Sequence, residues 1–428
     1  MFNMKHVVII GGGFGGVNLI NKLAGQRGFT ITLVDRNNYN FFPPLLYQIA
    51  TGFLEVSNIS YPFRKLLREK KINFHIGEFE RIIPEESKVV LSTGEIKYDY
   101  LVLATGVLTN YFGMENVKRN ALPMKTLSDA LDLRNHILQQ LELATIETDD
   151  RERKKLLNIV VVGTGPTGVE ISGMLADMRR HILPKDYPEL AATGIIPRIY
   201  LVDALDAVLK PMSERSHNDA HKALTNNGVE IKLHMQVKDY VGDAVVFSNG
   251  ESIDTRTVIW AAGVTGVAFA GMPPGCFGRG NRIMVDEFNR VKGMDNVFAI
   301  GDACIQSHEA KFPNGHPQMA QVAIQQGMNL AKNLSVLERG EALKAFAYHD
   351  KGSMAIICKN KAVVDMPGNK VHFKGFIAWF MWLFIHLLSL IRHRNRVSTL
   401  YNWANAYFAS DQPLRMIIRP SEKMKTNT

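Results

Sequence analysis

Three glycines near the start of the chain, Gly11, Gly13 and Gly16, and three in its middle, Gly163, Gly165 and Gly168, share one spacing. Residues so spaced can cradle a pyrophosphate. The first glycine permits a tight turn, the second lets the backbone approach the phosphates, and the third lets a helix pack closely on the preceding strand. Each set is followed by an acid suited to a ribose hydroxyl: Asp35 lies roughly 20 residues after the first, the usual separation, and Asp203 follows the second after a longer excursion containing PKDYPEL. An acid at Asp203 repels a 2'-phosphate, so the second site favours NADH over NADPH. Two dinucleotide sites in one chain imply electron transfer between two cofactors. Glu170 follows the second fingerprint by two residues, where the sequence places it in the first turn of a helix and its carboxylate suits the helix dipole.

These residues need strands and helices to hold them. Val7 to Ile10 reads as a buried parallel strand, with Leu19, Ile20 and Leu23 as one helix face behind the first glycine loop. The second loop repeats the pattern, with Ile159 to Val162 as strand and Val169, Ile171 and Leu175 as helix. The strands ITLVD and IYLVD deliver Asp35 and Asp203. DYLVLATG, ending at Gly106, and TVIWAAGV, Thr257 to Val264, read as the closing strand and turn of each lobe. NVFAIGDAC adds an apolar strand followed by Asp302, and a helix is predicted from about Met319 to Leu334. The fold class is therefore α/β, with two Rossmann-like lobes, the second inserted in the first. The expected boundaries are 1–123 with 265–335 for the outer lobe, 124–264 for the inserted lobe, and 336–428 for a C-terminal helical membrane-anchoring region.

Composition agrees with a globular protein of two or three domains: 428 residues, 46% hydrophobic and 21% charged. The three cysteines, Cys276, Cys304 and Cys358, lack metal-ligand spacing and suggest neither a disulfide framework nor a metal site. A reducing compartment is expected, and the early first strand predicts no cleavable signal peptide. The net charge of +9 is gathered at Arg151 to Lys155, at Arg392 to Arg396 and in the tail, without the aromatic interleaving of a nucleic-acid module, so no nucleic-acid partner is expected.

The second basic cluster follows an apolar run. From Phe376 to Ile391, sixteen residues include only His386 and Ser389 as polar ones. As a helix this run is roughly 24 Å long, short of a hydrocarbon core of about 30 Å. Phe376, Phe380, Leu383, Phe384, Leu387 and Ile391 share a stripe, and Trp379 and Trp382 suit a headgroup region. The expected role is a membrane-surface anchor whose basic residues meet anionic lipid, with a buried core or dimer helix as the alternative. VSTLYNWANAYF extends the aromatic character.

Together, GGGFGG, FFPPLLYQIATG, ATG, GTGPTGVE, WAAGV, IGDA and AQVAIQQG resemble the type II NADH:quinone oxidoreductases, single-subunit, non-proton-pumping respiratory flavoenzymes, over nearly the whole chain. The most discriminating element is AQVAIQQG, Ala320 to Gly327, which resembles the family's AQxAxQ quinone-site signature. The resemblance implies non-covalent FAD on Gly11, Gly12, Gly13, Phe14, Gly15, Gly16, Asp35 and Arg36, with Thr105, Gly106 and Asp302 completing that site. It places Ala320 and Gln321 against the isoalloxazine, Tyr47 and Gln48 near the flavin's dimethylbenzene edge, and NADH on Gly163, Gly165, Gly168, Asp203 and Gly263. Gln321 and Gln325, four apart on one helix face, are implied at the mouth of a quinone tunnel, and Glu170 between nicotinamide and flavin. It further implies a peripheral protein on the cytoplasmic face of the cell membrane, accepting ubiquinone or menaquinone, and by analogy a homodimer. Cys358 departs from the family pattern, standing where a glycine is expected.

Two rivals are separable on sequence. A sulfide:quinone oxidoreductase needs redox-active cysteines in both halves of the chain, and none occurs before Cys276. A flavin- and NAD-binding sensor or scaffold would not need the glutamine pair with an apolar anchor.

Overall fold

The computed structural model describes residues 4–409 and 414–418. The chain divides into two compact units, one from residues up to 41, 61–108 and 264–350, the other from 42–60, 109–263 and the segment from 351 onward. At the centre of the first is a five-stranded parallel sheet in the order Val297–Ala299, Tyr100–Leu103, Lys5–Ile10, Phe29–Asp35, Asn73–Ile76. Its central strand is covered on both faces, which is why Val7 to Ile10 reads as an unbroken apolar run. Val7 and Ile9 pack with Leu19, Leu23 and Leu330 on one face, and Val8 and Ile10 with Ile82 and Val89 of a small antiparallel sheet on the other.

The second unit repeats this plan. Its parallel sheet runs Leu122–Pro123, Thr257–Trp260, Ile159–Val162, Ile199–Val202, Val229–Lys232. The helix Pro166–His181 follows the central strand, with Pro166 at its first turn, where its missing N–H costs no intrahelical bond. The α/β class, with one dinucleotide-type lobe inserted in the other, is as the sequence predicts.

The helix Ala320–Leu337 and the chain to 350 fall in the first unit, and the described residues from 351 onward fall in the second. The physical reason lies at Gly173. A Cβ built there would lie 1.5 Å from the Ile357 carbonyl oxygen, so the strand Ser353–Cys358 rests directly on the helix Pro166–His181. Asp365 fastens the same sheet, accepting from the Ser213 backbone N–H at 2.7 Å and from the Ser216 hydroxyl at 3.0 Å. Beyond it lie two helices, Gly375–Ser389 and His393–Ala409. Among the described residues no helix is long and apolar enough to cross a membrane.

Candidate functional site

The two glycine loops have nearly the same geometry. Gly11 and Gly163 take φ of +104° and +111° at the strand ends, a left-handed region that favours glycine. A Cβ on Gly16 would lie 2.0 Å from the Gly11 carbonyl oxygen and one on Gly168 1.8 Å from that of Gly163, so each helix abuts its own turn. At Gly13 and Gly165 the corresponding direction is open. Each loop therefore ends at a helix N-terminus beside free space, the arrangement that takes a pyrophosphate.

The strand-end acids have a duty the sequence did not disclose. Asp35 accepts from the Gly12 N–H at 2.7 Å and the Asn37 N–H at 2.8 Å. Asp203 accepts from both the N–H and the hydroxyl of Thr164 at 2.7 Å, and from the Leu205 N–H at 3.0 Å. They brace the glycine loops. Both remain partly accessible, so accepting from a ribose as well is compatible with this role. Burial raises the Asp35 carboxyl above its usual range, against the two backbone bonds and the Arg36 charge, which lower it. Phe14 and Gly15 open the first helix, and Gly12 abuts the Phe63 ring. Arg36 lies 3.9 Å from Glu78. After the strand Tyr100–Leu103 come Thr105, whose buried hydroxyl has no partner, and Gly106. An open cradle, a helix start, a half-buried carboxylate and an orphaned hydroxyl fit the phosphate and ribose portion of a dinucleotide.

Asp302 sits in the short turn Gly301–Ala303, whose first N–H is taken by Gln326 Oε1 at 2.7 Å. Gln326 is buried, and in the sequence neither its type nor its position distinguishes it from its neighbours. Ala320 and Gln321 occupy the first turn of their helix. The Gln325 amide donates to the His349 carbonyl at 2.8 Å and accepts from the His349 N–H at 3.0 Å, two bonds that fix its orientation and leave one amide N–H and one oxygen lone pair for a further partner. Asn329 and Asn333, at the same four-residue spacing, both donate to the Lys344 carbonyl, and this amide stripe stitches the helix to the returning chain.

Within the second unit is a cavity of about 620 Å³. Phe376, Phe380, Leu383, Phe384 and Leu387 form one wall, Leu400, Trp403 and Tyr407 a second, and Ile356 and Ile357 contribute from the C-terminal sheet. The predicted apolar stripe thus faces a cavity, while Ile377, Ile385 and Leu388 stand exposed on other sides of the same helix. Trp382 departs from expectation: it is fully buried, stacked on His386 at 3.8 Å and set against Tyr47 and Trp403, so it cannot serve a headgroup region. Burial drives the His386 imidazole down to about 4, opposed by its bond to the Trp382 carbonyl. In the basic cluster, Arg396 donates to the Leu390 and Leu388 carbonyls, spending its guanidinium on the end of the apolar helix.

The polar groups of this cavity are few. Gln48 donates to the Tyr47 hydroxyl at 2.8 Å and accepts from the Trp403 indole at 2.7 Å. Both Tyr47 and Gln48 line the cavity. Glu170 lies in the second turn of its helix, not the first. Burial pushes its carboxyl up to about 8, opposed by the Ile356 backbone N–H and by the Trp382 indole, whose N–H completes no well-formed hydrogen bond. At neutral pH Glu170 is therefore largely protonated, and the helix-dipole reading of its charge lapses. The Tyr47 phenol is held well above its usual range, first by burial and then by Glu170. A neutral acid, a phenol and an amide at an apolar cavity can hydrogen-bond carbonyl oxygens without introducing a charge.

Residues 5–327 match the model of the pyridine nucleotide-disulphide oxidoreductases, and residues 350–411 match the NDH2 C-terminal domain. The chain is 35% identical to the type II NADH:quinone oxidoreductase NdhA of Mycobacterium tuberculosis, over 94% of its own length and 87% of that protein's. The chain belongs to the type II NADH:quinone oxidoreductase family. A Staphylococcus aureus family member is 30% identical over 86% of this chain and 91% of its own. The structure of Plasmodium falciparum NDH2 in complex with NADH superposes with a TM-score of 0.87 at 21% identity, covering 97% of this chain and all of that one. Family membership accounts for the strand Ser353–Cys358 and the helices after it as parts of the matched C-terminal domain. Cys358 stands at the cavity wall, its thiol pushed up to about 12 by burial.

Proposed function

We infer that this protein is a respiratory NADH:quinone oxidoreductase, passing a hydride from NADH to FAD and two electrons onward to a quinone without pumping protons. The observation that carries the reading is the cavity bearing protonated Glu170 with Tyr47 and Gln48, in a chain with two dinucleotide-type loops. Bound FAD supplies hydride acceptance and two-electron transfer. The loop from Gly11 to Gly16, with Asp35, Thr105 and Asp302, holds FAD; that from Gly163 to Gly168, with Asp203 and the Gly263 turn, holds NADH. Glu170, Tyr47 and Gln48 orient the quinone carbonyls, and Glu170 donates a proton as the quinol forms. Gln321 and Gln325 remain in the proposed site at the mouth of the quinone tunnel beside the flavin, with Gln325 held in place by the His349 backbone.

The protein sits peripherally on the cytoplasmic face of the membrane. Ile377, Ile385 and Leu388, exposed on the helix Gly375–Ser389 away from the cavity wall, enter the lipid surface, and the exposed Arg394 meets anionic headgroups. A homodimer belongs to the same reading by family analogy. The test is steady-state turnover of the membrane-bound protein with NADH, NADPH and two quinone types, and with sulfide as an alternative donor. NADH-dependent quinol formation with little NADPH use is expected; rapid sulfide oxidation without NADH turnover overturns the reading.

A further inference from the structure

The helix Pro166–His181 carries a second pattern that quinone reduction by itself does not explain. Glu170, Met174, Asp177 and His181 recur at intervals of four, three and four residues, one face of an α-helix, and all four line the same cavity. Accessibility rises along the row: Glu170 is buried, Asp177 half-buried and His181 exposed. The row thus leads from the cavity's buried carboxyl to solvent. At 1.5 Å per residue the steps are about 10 Å from Glu170 to Asp177 and about 6 Å from Asp177 to His181, distances that water within the cavity can bridge.

The reaction creates a need for such a row. NADH, quinone and one proton give NAD+ and quinol: the hydride brings two electrons and one proton equivalent, and the second proton comes from solution. That proton must reach Glu170 along a lining that is mostly apolar, with Phe376, Phe380 and Leu383 among its residues. We propose that Asp177 and His181 form a proton relay from solvent to Glu170, re-protonating it after it donates to the reduced quinone. Bond by bond, the Glu170 O–H breaks as a quinol O–H forms, Glu170 takes its proton back through water from Asp177, and Asp177 is recharged by way of His181 and bulk water.

The surroundings of Asp177 suit a group that gains and loses a proton. Its carboxylate accepts from Asn227 Nδ2 at 2.9 Å and from the Lys359 N–H at 2.8 Å. Burial raises its pKa, against those two bonds and the charges of His181 and Lys359. The Cys358 thiol lies near enough to feel the Asp177 charge. Lys359 itself is engaged elsewhere, its ammonium donating to the Tyr407 carbonyl at 2.9 Å. Met174 supplies the apolar spacing between the two carboxyls.

The relay rests on the functional reading above, and the test separates the two. Turnover is measured with a short-chain benzoquinone, which must be protonated, and with ferricyanide, which takes electrons without protons, for the wild type, Asp177→Asn, Asp177→Glu and His181→Gln. Asp177→Asn is expected to lower quinone kcat about tenfold, less than the roughly 100-fold or more of a group that transfers the proton to the reacting atom itself, with ferricyanide turnover within twofold. Asp177→Glu, or formate added to Asp177→Asn, restores the rate, a recovery that a purely structural role would not show. Should Asp177→Asn fail to fold, His181→Gln at the exposed end carries the test, with a smaller loss that imidazole relieves. Wild-type turnover of ferricyanide but not quinone sinks the functional reading and the relay together. Wild-type quinone turnover with unchanged kcat in Asp177→Asn and His181→Gln, or a loss that neither glutamate nor formate repairs, overturns the relay alone.

Discussion

The two nucleotide-type lobes share the three fingerprint glycines and the valine after them, Val17 and Val169, and part company in chemistry at the next residue. Asn18 in the first helix occupies the place of Glu170 in the second. Asn18 turns back on its own helix and donates to the Phe14 carbonyl at 2.8 Å, whereas Glu170 is buried at a cavity with its proton retained. The difference follows from what covers each helix. In the first lobe the helix Phe14–Leu23 is packed against the helix Ala320–Leu337, with a Cβ on Gly327 reaching within 2.5 Å of the Gly15 carbonyl oxygen. In the second, the C-terminal strand docks at Gly173, and the two helices after it enclose space rather than fill it. Binding loops of one design therefore leave the chemistry open, and the covering element decides whether a helix flank becomes core or reaction chamber.

The sharpest way to break this contrast is to undo the docking. Gly173→Leu forces a side chain into the Ile357 carbonyl, and the displaced strand takes one cavity wall with it. Quinone turnover should fall about 100-fold or more, since small misplacements of reacting groups can cost that much, while ferricyanide turnover persists; comparing the two acceptors checks this. A smaller effect is expected where the lobes are alike. Asp203→Ala releases the Thr164 N–H and hydroxyl, and should raise the NADH KM about tenfold, on the order of 1.4 kcal/mol, while narrowing the preference over NADPH. If NADH and NADPH kinetics are unaltered, Asp203 is not the ribose acid.

The smallest effect concerns stability. The folded chain keeps the Glu170 proton up to about pH 8, and the unfolded chain releases it above about 4.5, so between those values folding takes up a proton and stability falls as pH rises. Glu170→Gln should remove that slope and gain a few degrees in Tm relative to wild type between pH 5 and pH 8.5, on the scale of ΔΔG to Tm conversions. His386 acts in the opposite sense, its stability contribution being lost as pH falls from about 6.5 to about 4. Thermal melts across pH for both proteins resolve the two slopes, and parallel curves would show that Glu170 titrates normally.

Local features were legible in the sequence. Buried strands, glycine turns and the acids closing the strands at Asp35 and Asp203 are encoded within short windows, and the structure places them where the pattern predicts. What could not be read depends on contacts between distant segments. Gln325 and Gln326 are adjacent and chemically identical, yet helix phase sends one to the His349 backbone and the other to Gly301. Trp382 and Phe380 look alike in an apolar run, but only Trp382 meets Tyr47 and Trp403 and is buried by them. Glu170 carries an ordinary carboxyl in sequence, and its retained proton comes from residues brought together from positions 47 to 408.

The most direct measurement fills the cavity from within. Met174 lies on the row between Glu170 and Asp177 and lines the space without a hydrogen-bonding duty of its own, so Met174→Trp occupies quinone volume while leaving both nucleotide loops untouched. Quinone kcat/KM is predicted to fall about 100-fold, some 2.7 kcal/mol, with the NADH KM and ferricyanide turnover unchanged. Quinone turnover within twofold of wild type would contradict the assignment of this cavity as the place where quinone is reduced.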